Sequence, residues 1–137
     1  MAIGSFAQSC GGGNPAGPTG GGSVPQLQSV NATVANGVVT LTVDASSPLN
    51  SVGSAALVRT SAGDFLVAHT AQDVFTALTA TCTHEACTIT GFQSSSFVCP
   101  CHGSRFNTSG AVLNGPATRA LRTFATQLAG TTLSITV

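Results

Sequence analysis

Cysteine and histidine residues are concentrated in one part of this chain. Four of the five cysteines and two of the three histidines lie within residues 81–107. They form the pairs Cys82-Thr83-His84 and Cys99-Pro100-Cys101-His102, spacings that let one loop present a thiolate and an imidazole to the same centre. Short apolar runs between the pairs flank the turn signal Gln93-Ser94-Ser95. A hairpin there would bring the two loops face to face, so the fold has to accommodate a shared site between them.

The sequence outside these loops predicts an all-β protein. From residue 24 onward, short runs rich in β-branched residues alternate with turn formers, and no sustained helical period is present. Turn signals include Asn36-Gly37 and Ala129-Gly130, which are typical of hairpins. Strands are predicted at 38–43, 55–60, 64–69, 74–81, 88–91, 96–98, 123–128 and 132–137. We therefore expect a sandwich or a small barrel.

The first 23 residues differ from the rest in composition. They contain two Gly-Gly-Gly runs and two prolines, with almost no large apolar side chains, so burial cannot offset the entropy of ordering them. We predict a flexible tether at 1–23 and one domain at 24–137. Cys10 lies in this tether, and we expect either a thiol without function or a site of lipid attachment.

Charge and hydropathy exclude two classes of function. Four basic and four acidic residues give a net charge of zero, and the chain has no lysine. Binding to a phosphate backbone needs clustered Lys or Arg, so we expect no nucleic-acid partner. No apolar run approaches the roughly 20 residues of a spanning helix, and we expect no transmembrane helix in this chain.

Two cysteines and two histidines leave the kind of site open. The same set of ligands is typical of structural zinc, which would make the chain a zinc-stabilised binding module without a redox role. A redox dithiol at Cys99-Pro100-Cys101 is disfavoured, because thioredoxin-like chemistry uses a Cys-x-x-Cys spacing.

The complete motifs resemble the two cluster-binding loops of Rieske iron–sulfur proteins, Cys-Thr-His-x-Gly-Cys and Cys-Pro-Cys-His-Gly-Ser. Residues 99–104 match the second motif at every position, and residues 82–87 depart from the first only at Ala86. The resemblance implies an antiparallel β-sandwich or barrel base with a small cluster-binding subdomain of two loops, at about 81–107. Gly115-Pro116 resembles the proline-bearing loop that covers the cluster in this family, although a plain turn explains these two residues equally well.

The resemblance also implies a [2Fe–2S] cofactor with two thiolates on one iron and two imidazoles on the other. The implied ligands are Cys82, Cys99, His84 and His102. A disulfide between Cys87 and Cys101 is implied as well. Oxygenase ferredoxins of the family generally lack that pair of cysteines, so we expect the high-potential, quinol-oxidising branch.

Two further positions are implied to tune the potential. Ser104 matches a serine that donates a hydrogen bond to a bridging sulfide, and such bonds raise the potential. Phe106 stands where the highest-potential members carry a tyrosine whose hydroxyl reaches a ligating sulfur. We therefore expect a potential below that of proteins with both donors and above that of the oxygenase ferredoxins.

The function implied is one-electron transfer, coupled to a proton, by a soluble or lipid-anchored carrier or by a subunit of a quinol-oxidising complex, with no catalytic site of its own. The expected partners are a quinol-linked donor and a cytochrome-like acceptor. A disulfide favours an oxidising compartment, so we expect an exported protein, periplasmic or on the outer face of the membrane. An alternative is the small Rieske subunit of a molybdenum oxidase similar to arsenite oxidase. For His69, outside both motifs, we expect an ordinary surface or packing role.

Overall fold

The computed structural model describes residues 24–83 and 86–137, and this part of the chain contains strands and no helix. Hence no helix in the described ranges is long and apolar enough to span a membrane. The strands are β1 Gln28–Asn31, β2 Thr33–Ala35, β3 Val38–Thr42, β4 Ala55–Thr60, β5 Gly63–Ala71, β6 Val74–Thr79, β7 Gly91–Gln93, β8 Ser96–Val98, β9 Arg105–Asn107, β10 Val112–Asn114, β11 Thr123–Ala129 and β12 Thr132–Thr136.

Eight strands form a large sheet in the order β1-β4-β5-β6-β11-β12-β3-β2. Its two edge strands are consecutive in the chain, separated only by Ala32. β1 pairs with β4 in parallel, and β2 pairs with β3 antiparallel. At the bend, the amide of Ala32 donates to the carbonyl of Arg59 at 3.0 Å. One bent segment thus joins both edges, and the sheet is nearly closed into a barrel.

Four short strands form a second sheet in the order β10-β9-β8-β7. All four belong to the segment 80–122, which lies between β6 and β11. Thr123 of β11 pairs with Leu78 of β6, so the segment leaves and re-enters the barrel at the same end. We call that end of the barrel the site end. The predicted subdomain at 81–107 therefore continues to residue 122 in this architecture.

The two sheets are held together by a second core outside the barrel. In β5, Phe65 and Val67 face the barrel interior, while Leu66 and Ala68 belong to the outer core. Side chains of the 80–122 segment cover that outer face, among them Ile89, Phe97, Phe106 and Leu121. Burying each large apolar side chain contributes about 1.5–3 kcal/mol, so the subdomain is anchored by apolar packing on strands buried on both faces.

Most predicted turns and strands are present. Asn36 and Gly37 have φ of 53° and 74°, and Ser94 and Ser95 have φ of 53° and 59°, as tight hairpin turns require. Several boundaries differed from the prediction, those of β6 and β7 among them. β6 ends at Thr79, because the chain turns toward the site beyond it, and β7 spans Gly91–Gln93 instead of 88–91. β1, β2, β9 and β10 were not predicted.

His69 has the packing role expected of it. Its side chain is 9% exposed and stacks on Phe75, with ring centroids 4.2 Å apart. Its Nδ1–H donates to the carbonyl of Leu49 at 2.9 Å. The ring therefore fills the core beside the end of β5, away from both Cys/His motifs.

Candidate metal centre

Loop 1, residues 82–87, is closed at its base like a hairpin. Thr81 and Thr88 form an isolated antiparallel bridge, and the amide of Cys82 donates to the carbonyl of Cys87 at 2.9 Å. The Cys82 side chain is buried, 3% exposed. His84, a sequence-predicted ligand, lies outside the described residues.

Loop 2, residues 99–104, connects β8 to β9. The amide of Cys99 donates to the carbonyl of Ser104 at 2.9 Å, and the amide of Gly103 donates to the carbonyl of Cys99 at 3.0 Å. Gly103 has φ of 79°, a left-handed conformation that other residues adopt at a cost. The glycine of the motif is therefore needed for the turn that leaves Cys99 buried and His102 exposed.

The loops bring two free cysteine thiols together. Cys82 and Cys99 are both unbridged and buried in the same core cluster, close enough for the Cys82 thiol to affect the pKa of Cys99. Burial raises the pKa of the Cys99 thiol, and the neighbouring Cys82 thiol raises it further, although the backbone N–H groups of Cys101 and His102 oppose this by donating to its sulfur. A cation bound between the two sulfurs would have the opposite effect to burial, because its positive charge stabilises thiolates.

A disulfide joins Cys87 of loop 1 to Cys101 of loop 2, as the resemblance implies, with Cα atoms 6.5 Å apart. These two cysteines are therefore not available as metal ligands. The bond fixes the separation of the loops at a point next to the buried thiol pair, and so constrains the opening of the site.

A third segment, which follows the Gly115-Pro116 pair that the family resemblance linked to the site, fastens both loops. The Ser104 side chain is 1% exposed, and its Oγ accepts a hydrogen bond from the Ala117 amide at 3.0 Å. On the other side, Thr83 Oγ1 donates to the carbonyl of Arg119 at 2.7 Å. Because Ser104 Oγ accepts from Ala117, its own proton stays available for an acceptor in the site.

The donor set fits an iron–sulfur group. Two buried, neighbouring thiols, N–H groups that donate to the Cys99 sulfur, and the buried hydroxyl of Ser104 in loop 2 match what thiolate-ligated iron and its sulfides require. Within the described ranges, no three His, Cys, Asp or Glu side chains form a complete metal site. The structure therefore brings Cys82 and Cys99 together, whereas His102, which is described and exposed, is not gathered with them into a three-residue site.

Comparison with known proteins identifies the same part of the chain. The family model of the Rieske [2Fe–2S] domain matches residues 40–125. The cytochrome b6-f complex iron-sulfur subunit of Prochlorococcus marinus (strain MIT 9515) is 37% identical over 73 residues, which cover 50% of this chain and 41% of that protein. The chloroplastic subunit of Pisum sativum is 46% identical over 46 residues, covering 33% of this chain and 20% of that protein. This chain therefore spans less than half the length of these curated relatives.

Solved structures show the same likeness. The plasma membrane Rieske protein PetC3 from the cyanobacterium Synechocystis PCC 6803 is 35% identical with a TM-score of 0.55, covering 61% of this chain and 86% of that one. The ferredoxin of carbazole 1,9a-dioxygenase from Nocardioides aromaticivorans IC177 has a TM-score of 0.55 at 20% identity, covering 70% and 95%, and shares the fold. Given the family match and the buried thiol pair, this chain belongs to the Rieske [2Fe–2S] family, and its cofactor is a Rieske-type [2Fe–2S] cluster.

Proposed function

We propose that this Rieske electron-transfer protein holds its cluster through four ligands from two loops: Cys82, His84, Cys99 and His102. The observation that carries the assignment is the buried pair of free thiols, Cys82 and Cys99, between loops joined by the Cys87–Cys101 disulfide. When bound, the cluster supplies one-electron redox chemistry at a potential raised by its two imidazole ligands. The protein is then a carrier and has no catalytic site of its own.

The chain's own residues each have a part in this proposal. The two thiolates hold one iron in the buried half of the site, and His102 is exposed, on the side where a partner can approach. Ser104, anchored by the amide of Ala117, keeps its hydroxyl proton for a sulfide. The disulfide holds both loops at a fixed separation, which limits rearrangement when the charge of the site changes.

The disulfide also supports the high-potential branch and an oxidising location. Disulfides persist in exported proteins and are rare in the reducing cytosol. The curated relatives named above are cytochrome b6-f subunits, which is consistent with a quinol-linked donor and a cytochrome-like acceptor for this chain. We propose an exported protein, periplasmic or on the outer face of the membrane. Lipid attachment at Cys10 remains a prediction, and that residue lies outside the described ranges.

The direct test is metal and sulfide analysis of the purified protein, with visible absorption before and after reduction. We expect two irons and two labile sulfides per chain, with a red-brown colour that bleaches on reduction. A colourless protein holding one zinc per chain would instead establish the structural zinc module and overturn the redox function.

Proton coupling predicts that the midpoint potential falls as pH rises. An imidazole on oxidised iron gives up its second N–H proton more readily than one on reduced iron, because the oxidised iron withdraws more charge. Above the pKa of the oxidised form, the midpoint should fall by about 59 mV per pH unit for one proton per electron. Protein-film voltammetry from pH 5 to 10 measures this slope, and a flat profile would remove the proton-coupled part of the proposal.

Replacing Phe106 with tyrosine should raise the midpoint potential. Phe106 is fully buried in the core beneath the loops, at the position where the highest-potential members have their tyrosine donor. A hydroxyl there that reaches a ligating sulfur stabilises the reduced, more negative state, and a hydrogen bond to a charged group contributes about 1.5–3 kcal/mol. Voltammetry of both proteins at one pH makes the comparison, with Phe97→Tyr, a second fully buried phenylalanine, as the matched control. An unchanged or lower midpoint in Phe106→Tyr contradicts the assignment.

A further inference from the structure

Charged side chains are separated between the two parts of this fold. The segment 80–122 carries three arginines and one glutamate, a net charge of +2, and the rest of the chain carries one arginine and three aspartates, a net charge of −2. The first group is Arg105, Arg119, Arg122 and Glu85, and the second is Arg59, Asp44, Asp64 and Asp73. The net charge of zero therefore conceals two regions of opposite sign.

Strand register places the uncompensated aspartates at the far end of the barrel. Asp73 is in the turn that opens β6, and β6 runs from there toward the site end. Asp44 follows β3, whose last residue pairs with Thr132 beside the β11–β12 turn, again opposite the site end. Asp64 is paired with Arg59 at 3.7 Å, the ion pair found within the described ranges. The molecule thus has a negative base and a positive site end.

Two of the arginines adjoin the cluster-binding loops. The carbonyl of Arg119 accepts the hydrogen bond from Thr83, so this residue lies against loop 1, and its side chain is exposed. Arg105 directly follows loop 2 and is half-buried. One arginine therefore lies next to each loop, and the segment that carries His102 has a net positive charge.

Arg105 also lines a cavity beside a proposed ligand. The cavity has a volume of about 390 Å3, and Cys99, Pro100 and Gly103 form part of its wall. Arg105 Nη2 donates to Gln93 Oε1 at 3.2 Å, which holds the guanidinium in place. In the part of the chain that the structure describes, no carboxylate is paired with Arg105. A positioned guanidinium that keeps most of its five donors is suited to bidentate binding of a carboxylate.

We propose that the positive site end is the docking surface for a redox partner protein with an acidic contact surface, and that a partner carboxylate enters the cavity at Arg105. This inference rests on the proposed electron-transfer function and adds the charge of the partner. Opposite charges steer encounter and raise association rates by roughly 10- to 1,000-fold at low salt. A carboxylate seated in the cavity would also hold the partner next to Cys99.

The test uses two forms of one acceptor with opposite surface charge. The reduced holoprotein is mixed in a stopped-flow instrument with native cytochrome c, whose surface is basic, or with succinylated cytochrome c, whose lysines have become carboxylates. We expect the rate with the succinylated form to fall as salt is added, and the rate with the native form to rise. The sign of the salt dependence does not depend on driving force, so a rate that rises with salt for the succinylated form overturns the proposal.

Charge-neutralising variants locate the surface. Arg105→Gln and Arg119→Gln should each slow the low-salt reaction with succinylated cytochrome c about threefold, and the double variant about tenfold. Asp73→Asn changes the net charge by one unit at the far end of the barrel and should leave the rate within about 1.5-fold of wild type. A change in rate as large as that of either arginine variant would assign the effect to net charge and overturn a localised docking surface.

Arg105→Lys distinguishes carboxylate binding in the cavity from general electrostatic attraction. Lysine keeps the charge and loses the planar fork, so the salt dependence should persist while the rate falls about twofold. Full wild-type rates in this variant would overturn the carboxylate site. Iron content and visible spectrum are recorded for every preparation. A colourless preparation reports failure of the proposed function, whereas a red-brown protein with the wrong salt dependence reports failure of the docking inference alone.

Discussion

Replacing Cys99 with alanine should give a folded protein that retains less than about a tenth of the wild-type iron. Cys99 is 1% exposed and adjoins the other free buried thiol, that of Cys82, so its loss removes one of two thiolates from the same iron. A cluster cannot complete its coordination from the remaining sulfur, and the disulfide cysteines are already engaged. Iron analysis and visible absorption of the purified variant measure the effect.

The control for this experiment is Cys10→Ala, which removes a cysteine from the predicted tether and should leave the iron content unchanged. The Cys99→Ala protein should still unfold cooperatively in urea, because alanine fills most of the thiol's volume and the rest of the core is intact. Full iron content in Cys99→Ala would show that Cys99 is not a ligand, and would leave the proposed set of four ligands without support.

Removing the disulfide should have the largest effect on stability. In Cys87→Ser/Cys101→Ser, the unfolded chain regains the freedom of a loop spanning 14 residues, which corresponds to about 3 kcal/mol in the free energy of unfolding. For a domain of this size we expect the melting temperature to fall by about 10 °C. The cluster should also be released faster, because loops 1 and 2 are no longer tied beside the cysteine pair. Urea unfolding and the bleaching rate of the visible spectrum measure the two effects.

Reduction of the wild-type disulfide provides the comparison for that variant. Wild type treated with a thiol reductant should approach the stability of the double variant, whereas the double variant should not respond to reductant. If the free energy of unfolding falls by less than about 1 kcal/mol, the hydrogen bonds of loops 1 and 2 are sufficient to hold the site. The stabilising role assigned to the Cys87–Cys101 disulfide would then be wrong.

Much of the site could be predicted from sequence because its signals are local. Each loop carries its residues at short spacing, and Gly103 marks a turn at positive φ that few other residues adopt without strain. The hairpins at Asn36-Gly37 and Ser94-Ser95 follow from turn chemistry within two residues. The pairing of Cys87 with Cys101 was also predicted, because the family resemblance implies it, and the structure contains this disulfide.

The contacts that fasten the segment after Gly115-Pro116 to the two loops were revealed only by the tertiary structure. Thr83 binds the carbonyl of Arg119, 36 residues away, and Ser104 accepts from the amide of Ala117. In each contact, one of the two partners is a backbone group. Every residue type has a backbone carbonyl and nearly every type has an amide N–H, so composition and spacing do not predict these bonds. The same reasoning applies to closure of the barrel through Ala32, whose amide reaches Arg59.

The distribution of charge shows the same division between sequence and structure. Residue types and local spacing are enough to predict that the chain is all-β, neutral overall, and equipped with two Cys/His loops. The pairing of β6 with β11 places the 80–122 segment at one end of the barrel, with Asp44 and Asp73 at the other, and no local pattern in the sequence indicates this. Strand pairing over long separations sets that geometry, and it turns a net charge of zero into a molecule with a positive site end.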